Sequence, residues 1–148
     1  MPDRLTPDYP PVWLAGFALL AYVGGKIFPV HNPLMALGGW GLILSGALMM
    51  LIAAAQMLAA RSTLDPHGQP RTLLTSGLYA MSRNPIYLAD LLLLAGACLL
   101  LGAVWALPLV LVLMAVLTRR FILPEEQRLA RLFPRDWPAY RQQTRRWL

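Results

Sequence analysis

Gly77-Leu78-Tyr79-Ala80-Met81-Ser82-Arg83-Asn84-Pro85-Ile86-Tyr87 sets a polar, arginine-bearing segment directly against the start of an apolar run. Asn84 suits a helix N-cap and Pro85 the first helical position, so a helix is expected to begin here. Three further apolar runs surround it, and the four together cover residues 12–30, 33–60, 86–101 and 103–122. Each approaches the roughly 20 residues needed to cross about 30 Å of hydrocarbon, the run at 86–101 being the shortest. With 57% hydrophobic and 14% charged residues and a mean hydropathy of +0.53, the chain is too apolar for an ordinary soluble domain. The expectation is an all-α integral membrane protein with about four transmembrane helices, a cytoplasmic loop and short C-terminal interfacial helices. It is read as a single domain, 1–148, with an N-terminal helical hairpin at 12–60 and a core at 61–148.

Charge sets the orientation. Of the 13 Lys and Arg residues, Arg61, Arg71 and Arg83 lie between the second and third runs, and eight arginines from Arg119 to Arg146 follow the fourth. The positive-inside rule makes both segments cytoplasmic, and an even number of spans puts the N-terminus there too. Lys26 and His31 fall on the opposite side. Asp3 and Asp8 precede the first run with only one arginine, Arg4, so no cleaved signal is expected and the first helix is retained. The compactness and arginine bias point to a bacterial inner membrane. Arginines beside a bilayer meet anionic lipid headgroups, so membrane lipids and not nucleic acid are the expected partners.

Within the runs, Gly38, Gly39, Gly41, Ser45 and Gly46 place small residues three and four apart, which lets membrane helices approach closely. Packing against the chain's own first or fourth helix is expected, with a homodimer as the alternative. Tyr9-Pro10-Pro11 bounds the first helix, Phe28 to Pro33 forms a turn, and Gly102 forms another. Residues 61–71 read as an ordered loop. Residues 125–132 and 136–148 read as two short helices, the second lying in the headgroup zone with Trp137, Tyr140 and Trp147 among its arginines. The single cysteine, Cys98, reads as a small buried residue, and one Cys with two His provides no metal site.

Several residues carry potential chemistry. Arg83, Asn84 and Pro85 stand where a helix N-terminus favours an anion, and Arg83 would grip a carboxylate or phosphate; the plainer role is an arginine anchoring the helix. Glu125 and Glu126 follow a membrane helix and point about 100° apart, so one can face the bundle as a base or ligand contact while the other pairs with an arginine. Asp90 lies three residues after Tyr87 on nearly the same face. An acid at that depth faces a protein interior or wet cavity, either toward a cationic headgroup or bonded to a group such as Gln56. His67 has no nucleophile at a useful spacing, which leaves a hydrolase triad without support. No Gly-rich phosphate loop follows a strand.

From Arg61 onward the sequence resembles the integral-membrane methyltransferases of the isoprenylcysteine carboxyl methyltransferase and phospholipid methyltransferase superfamily. The resemblance rests on Thr63 with Pro66-His67, Gly77-Leu78-Tyr79, Arg83-Asn84-Pro85-Ile86-Tyr87, Glu125-Glu126 with Leu129 and Phe133, and Tyr140. It implies S-adenosylmethionine as cofactor, with Arg83, Asn84, Pro85 and Tyr87 forming one wall of its pocket and His67 and Tyr79 as neighbours. Glu125 and Glu126 would border the methyl-transfer site, with Asp90 a further candidate for the chemistry. The acceptor would be a lipid or lipid-like molecule, a prenylcysteine-type carboxylate or an aminophospholipid. Asn84 stands where many members have histidine, Leu132 where many have a basic residue, and Pro134 where glycine is usual. The alternatives are an NADPH-dependent membrane reductase of the sterol reductase type and a non-catalytic lipid-binding membrane protein.

Overall fold

The computed structural model describes residues 8–62 and 70–148 and is all-helical over them. The helices are α1 (Pro10–Ile27), α2 (Pro33–Ala59), α3 (Leu78–Met81), α4 (Pro85–Leu100), α5 (Pro108–Leu117), α6 (Leu123–Leu132) and α7 (Trp137–Gln143). Three of the helical stretches are long and apolar enough to cross a membrane: α1, α2 and the continuous stretch Val104–Leu132 that contains α5 and α6. The apolar α4 has 16 residues, and so spans about 24 Å at 1.5 Å per residue.

Prolines open the helices and do not interrupt them. Pro10 and Pro11 fall in the first turn of α1, where no intrahelical N–H is needed. Asn32 caps α2 by accepting from the Leu34 amide at 2.8 Å. Residues 125–132, expected as a separate short helix, instead continue the fourth apolar stretch through Pro124. Thr118–Ile122 widens into a π turn in which the Leu123 amide reaches back to the Thr118 carbonyl, and this turn admits the proline without ending the helix.

The central element is α4, which packs most extensively along α2 and also touches α1 and α5. A Cβ on Gly96 would lie 2.7 Å from the Gly39 carbonyl oxygen and 3.0 Å from the Ile43 amide nitrogen, so the two backbones meet here. The small-residue stripe of α2 therefore serves the third membrane helix, not the first or fourth. Periodicity exposes a close-packing face without naming its partner. Leu91, Leu94 and Cys98 of α4 join Leu113, Leu117 and Ala21 in one buried core. The outward residues Leu19, Leu37, Leu44 and Leu51 are exposed, as a lipid-facing surface requires.

The start of α1 is tied to the end of α5. Asp8 accepts from Arg120 at 2.9 Å and from the Trp13 indole at 3.1 Å, and the Arg120 guanidinium lies 5.2 Å from the Trp13 ring centroid. The α2–α4 crossing gives a direct test. Gly96→Leu forces a side chain against backbone and is expected to destabilise by about 1–3 kcal/mol in detergent thermal unfolding, whereas Gly41→Ala, which meets open space within α2, is expected to keep or slightly raise the melting temperature.

Candidate active site

The segment between α2 and α4 is shaped first by Gly77. Its φ of +61° belongs to the left-handed region, and a Cβ there would overlap the Gln56 amide, so only glycine fits. Gln56 Oε1 accepts from the Leu78 amide at 3.2 Å, which engages it with this turn and not with Asp90. Asn84 occupies the N-cap position of α4, but its side chain makes no cap bond. Its Nδ2 instead donates to the Arg146 carbonyl at 2.9 Å.

That bond belongs to a set by which the C-terminal segment lies across the α3–α4 junction. Tyr140 Oη donates to the Tyr79 carbonyl at 2.6 Å. The Arg83 amide donates to the Arg145 carbonyl at 3.0 Å, and Thr144 Oγ1 and Ser82 Oγ donate to the Ala80 and Arg146 carbonyls at 3.3 Å. Trp137 and Tyr140 are each only 5% exposed. Both side chains are thus buried against the α3–α4 junction by α7, which is only seven residues long. The amphipathic character of the tail was legible, but its tyrosine hydroxyl had a buried carbonyl to satisfy.

Arg83 sits under this cover with its side chain 8% exposed and Nη2 3.2 Å from Glu126 Oε1. Its guanidinium carbon lies 5.6 Å from the Trp137 ring centroid. Burial lowers the guanidinium pKa, with Glu126 pulling the other way. Nε and Nη1 of Arg83 and the hydroxyl of Tyr79 are buried with no hydrogen-bond partner among the described residues. Burial, then Glu125 and Tyr140, raises the Tyr79 phenol, which keeps it a neutral donor. Orphaned buried donors cost about 1–3 kcal/mol each, and such groups beside a cavity fit a site that receives an anionic or polar ligand group.

Two spaces adjoin these donors. A chamber of about 500 Å³ is lined by Tyr9 and the first residues of α1, by Met50, Ala54 and Met57 of α2, by Tyr79, Arg83, Asn84 and the first turns of α4 as far as Asp90, and by Glu125. A recess of about 40 Å³ runs toward Thr72, Glu126, Trp137 and Tyr140. Both are bounded by Met57, Tyr79, Arg83, Asn84 and Glu125, which form the wall between them.

The adjacent glutamates have separate environments. Glu125 Oε2 accepts from Tyr87 Oη at 3.4 Å at the chamber. Glu126 is gripped by Arg146, whose Nε and Nη2 donate to Oε1 and Oε2 at 2.9 and 2.8 Å. Tyr79, Arg83, Asn84, Pro85, Tyr87, Asp90 and Glu125 all line the chamber, and Glu126 lines the recess. His67 lies outside the described residues. The α1 start, the α2 methionines and Arg146 had no distinguishing signal in the sequence: the first two read as ordinary helix ends, and Arg146 as one of eight C-terminal arginines.

The described residues thus form a helical scaffold that carries a buried arginine between an apolar chamber and a smaller recess. A family model described as phospholipid methyltransferase matches residues 34–136, and the chain belongs to that family. It is accordingly a membrane methyltransferase of the lipid-modifying class. Searches of curated proteins and of solved structures returned no match.

The C-terminal cover yields a stability test. Tyr140→Phe strands the buried Tyr79 carbonyl and is expected to cost about 1–3 kcal/mol, read as a lower thermal midpoint of the detergent-solubilised protein.

Proposed function

We propose that the chain transfers a methyl group from S-adenosylmethionine to the headgroup of a membrane lipid at the cytoplasmic face, with the bacterial inner membrane as its setting. The observation that supports this reading is the pair of buried nitrogens on Arg83 that have no partner among the described residues, at the wall between recess and chamber. The residues present fit the cofactor. Arg83 would hold its carboxylate, Tyr79 Oη would donate to it, and the ring of Tyr87 would face its cationic sulfur. When bound, S-adenosylmethionine supplies an activated methyl group on that sulfur.

The chain's own residues then bind, align and exclude water. The apolar chamber walls of α1 and α2 would receive the acyl region of an acceptor arriving sideways from the bilayer. Asp90 and Glu125 place two carboxylates in that chamber, which disfavours a carboxylate acceptor by like charge and favours an amine. An ammonium headgroup must lose a proton before its nitrogen can act as a nucleophile. Glu125, hydrogen-bonded by Tyr87, is the base assigned to receive that proton at its carboxylate. Glu126, with both oxygens engaged by arginine, links Arg146 to Arg83.

Thermal unfolding with ligand tests the reading. A ligand at about 100 times its Kd stabilises the folded state by about 2.7 kcal/mol. S-adenosylhomocysteine is expected to raise the midpoint of the wild type and to leave Arg83→Ala unmoved. A rise with NADPH alone would instead indicate the reductase reading, and no rise with either the non-catalytic one. Given cofactor binding, Glu125→Gln is expected to lower kcat toward an aminophospholipid by about 10²-fold or more while S-adenosylhomocysteine still binds.

A further inference from the structure

We propose that Arg146 is a positioning residue that keeps Glu126 from closing on Arg83 and so preserves the free nitrogens of Arg83 for an anionic ligand group. This inference rests on the cofactor reading above for its ligand, but the geometry stands by itself. Glu126 lies between two guanidinium groups. Arg146 takes both of its oxygens, at 2.9 and 2.8 Å, while Arg83 touches only Oε1, at 3.2 Å and through Nη2.

A carboxylate beside a buried guanidinium has a strong preference for two parallel hydrogen bonds. Were Arg146 absent, Glu126 would be free to turn both oxygens to Arg83, and the site would supply its own anion. The exposures point the same way: Glu126 and Arg83 are 13% and 8% exposed, and Arg146 reaches in from the outside at 33%. The backbone fixes the reach. The Arg146 carbonyl accepts from Asn84 Nδ2 and Ser82 Oγ, so the side chain starts from a point anchored to the α4 N-terminus. Its hydrogen bonds to Glu126 raise the Arg146 pKa, which keeps it charged throughout the ordinary pH range.

The role requires the planar fork of arginine and not merely its charge, because a lysine ammonium cannot span both oxygens in the same way. Arg146→Ala and Arg146→Lys are therefore both expected to weaken S-adenosylhomocysteine binding, by about tenfold and about threefold respectively, measured by calorimetry on detergent-purified protein. The KM for S-adenosylmethionine should rise in parallel while kcat toward an aminophospholipid stays within about twofold, the pattern of lost uniform binding. Adding Glu126→Gln to either variant removes the competing anion and is expected to restore most of the affinity. Arg146→Lys binding as tightly as wild type would overturn the proposal in favour of simple charge, and failure of Glu126→Gln to restore affinity would overturn it outright.

A ligand-free readout separates this from the cofactor reading. The Trp137 fluorescence, isolated as the difference from a Trp137→Phe control, should change in Arg146→Ala as the Arg83 guanidinium leaves the ring, and should return in the double variant. If wild type binds no S-adenosylhomocysteine, the cofactor reading falls and the clamp is judged on Trp137 alone, an unchanged spectrum overturning it.

Discussion

The site exists because the last turn of the chain lies across the junction between α3 and α4. Tyr140 satisfies the Tyr79 carbonyl, Arg145 accepts from the Arg83 amide and the Arg146 carbonyl accepts from Asn84. Each of these bonds satisfies a polar group that the turn into a membrane helix would otherwise leave without a partner. Without that cover, the junction would be a helix start at the membrane surface, its arginine able to swing into water. With it, Arg83 is held against the Trp137 ring and is largely buried, although two of its nitrogens have no partner among the described residues. Desolvated in this way, a guanidinium is a far stronger attractor of an anionic group than one in the headgroup region.

The depth of the site follows from the length of α4. At 16 residues it is shorter than α1 and α2, and its N-terminus begins where α2, with 27 residues, still continues. The space left between the end of α2, the start of α1 and the first turns of α4 is the apolar chamber. Asp90 and Tyr87 on α4 then give its otherwise oily wall a polar stripe. The close Gly39–Gly96 crossing sets α4 against α2 and so determines where that stripe points. Under the proposed function, a lipid headgroup and its chains would meet two different surfaces in one cavity.

Much of this was legible in the residues. The apolar runs, the helix start at Pro85, the turn at Gly102 with its φ of +68° and the burial of Cys98 all follow from local composition and backbone preference. So does the divergence of Glu125 and Glu126, because consecutive helical residues face different ways. The pairing of small residues with the third membrane helix was not legible, since a glycine stripe is compatible with any helix that approaches it. Nor was the inward turn of Trp137 and Tyr140: an arginine-rich, aromatic segment has the same sequence pattern whether its aromatic side chains face lipid headgroups or are held inward by a set of hydrogen bonds to the α3–α4 junction. The continuity of the helix through Pro124 depended on a π turn, a backbone adjustment that leaves no residue-level mark.

On the proposed function, Arg83 presents its unengaged nitrogens to the carboxylate of a sulfonium cofactor between recess and chamber. A crystal structure of the protein with S-adenosylhomocysteine tests it most directly. The expected result is the ligand carboxylate within about 2.7–3.2 Å of Arg83 Nε or Nη1, with its sulfur directed toward the chamber that holds Asp90 and Glu125. A ligand bound away from the α3–α4 junction, with both of those nitrogens still unengaged, would contradict the account.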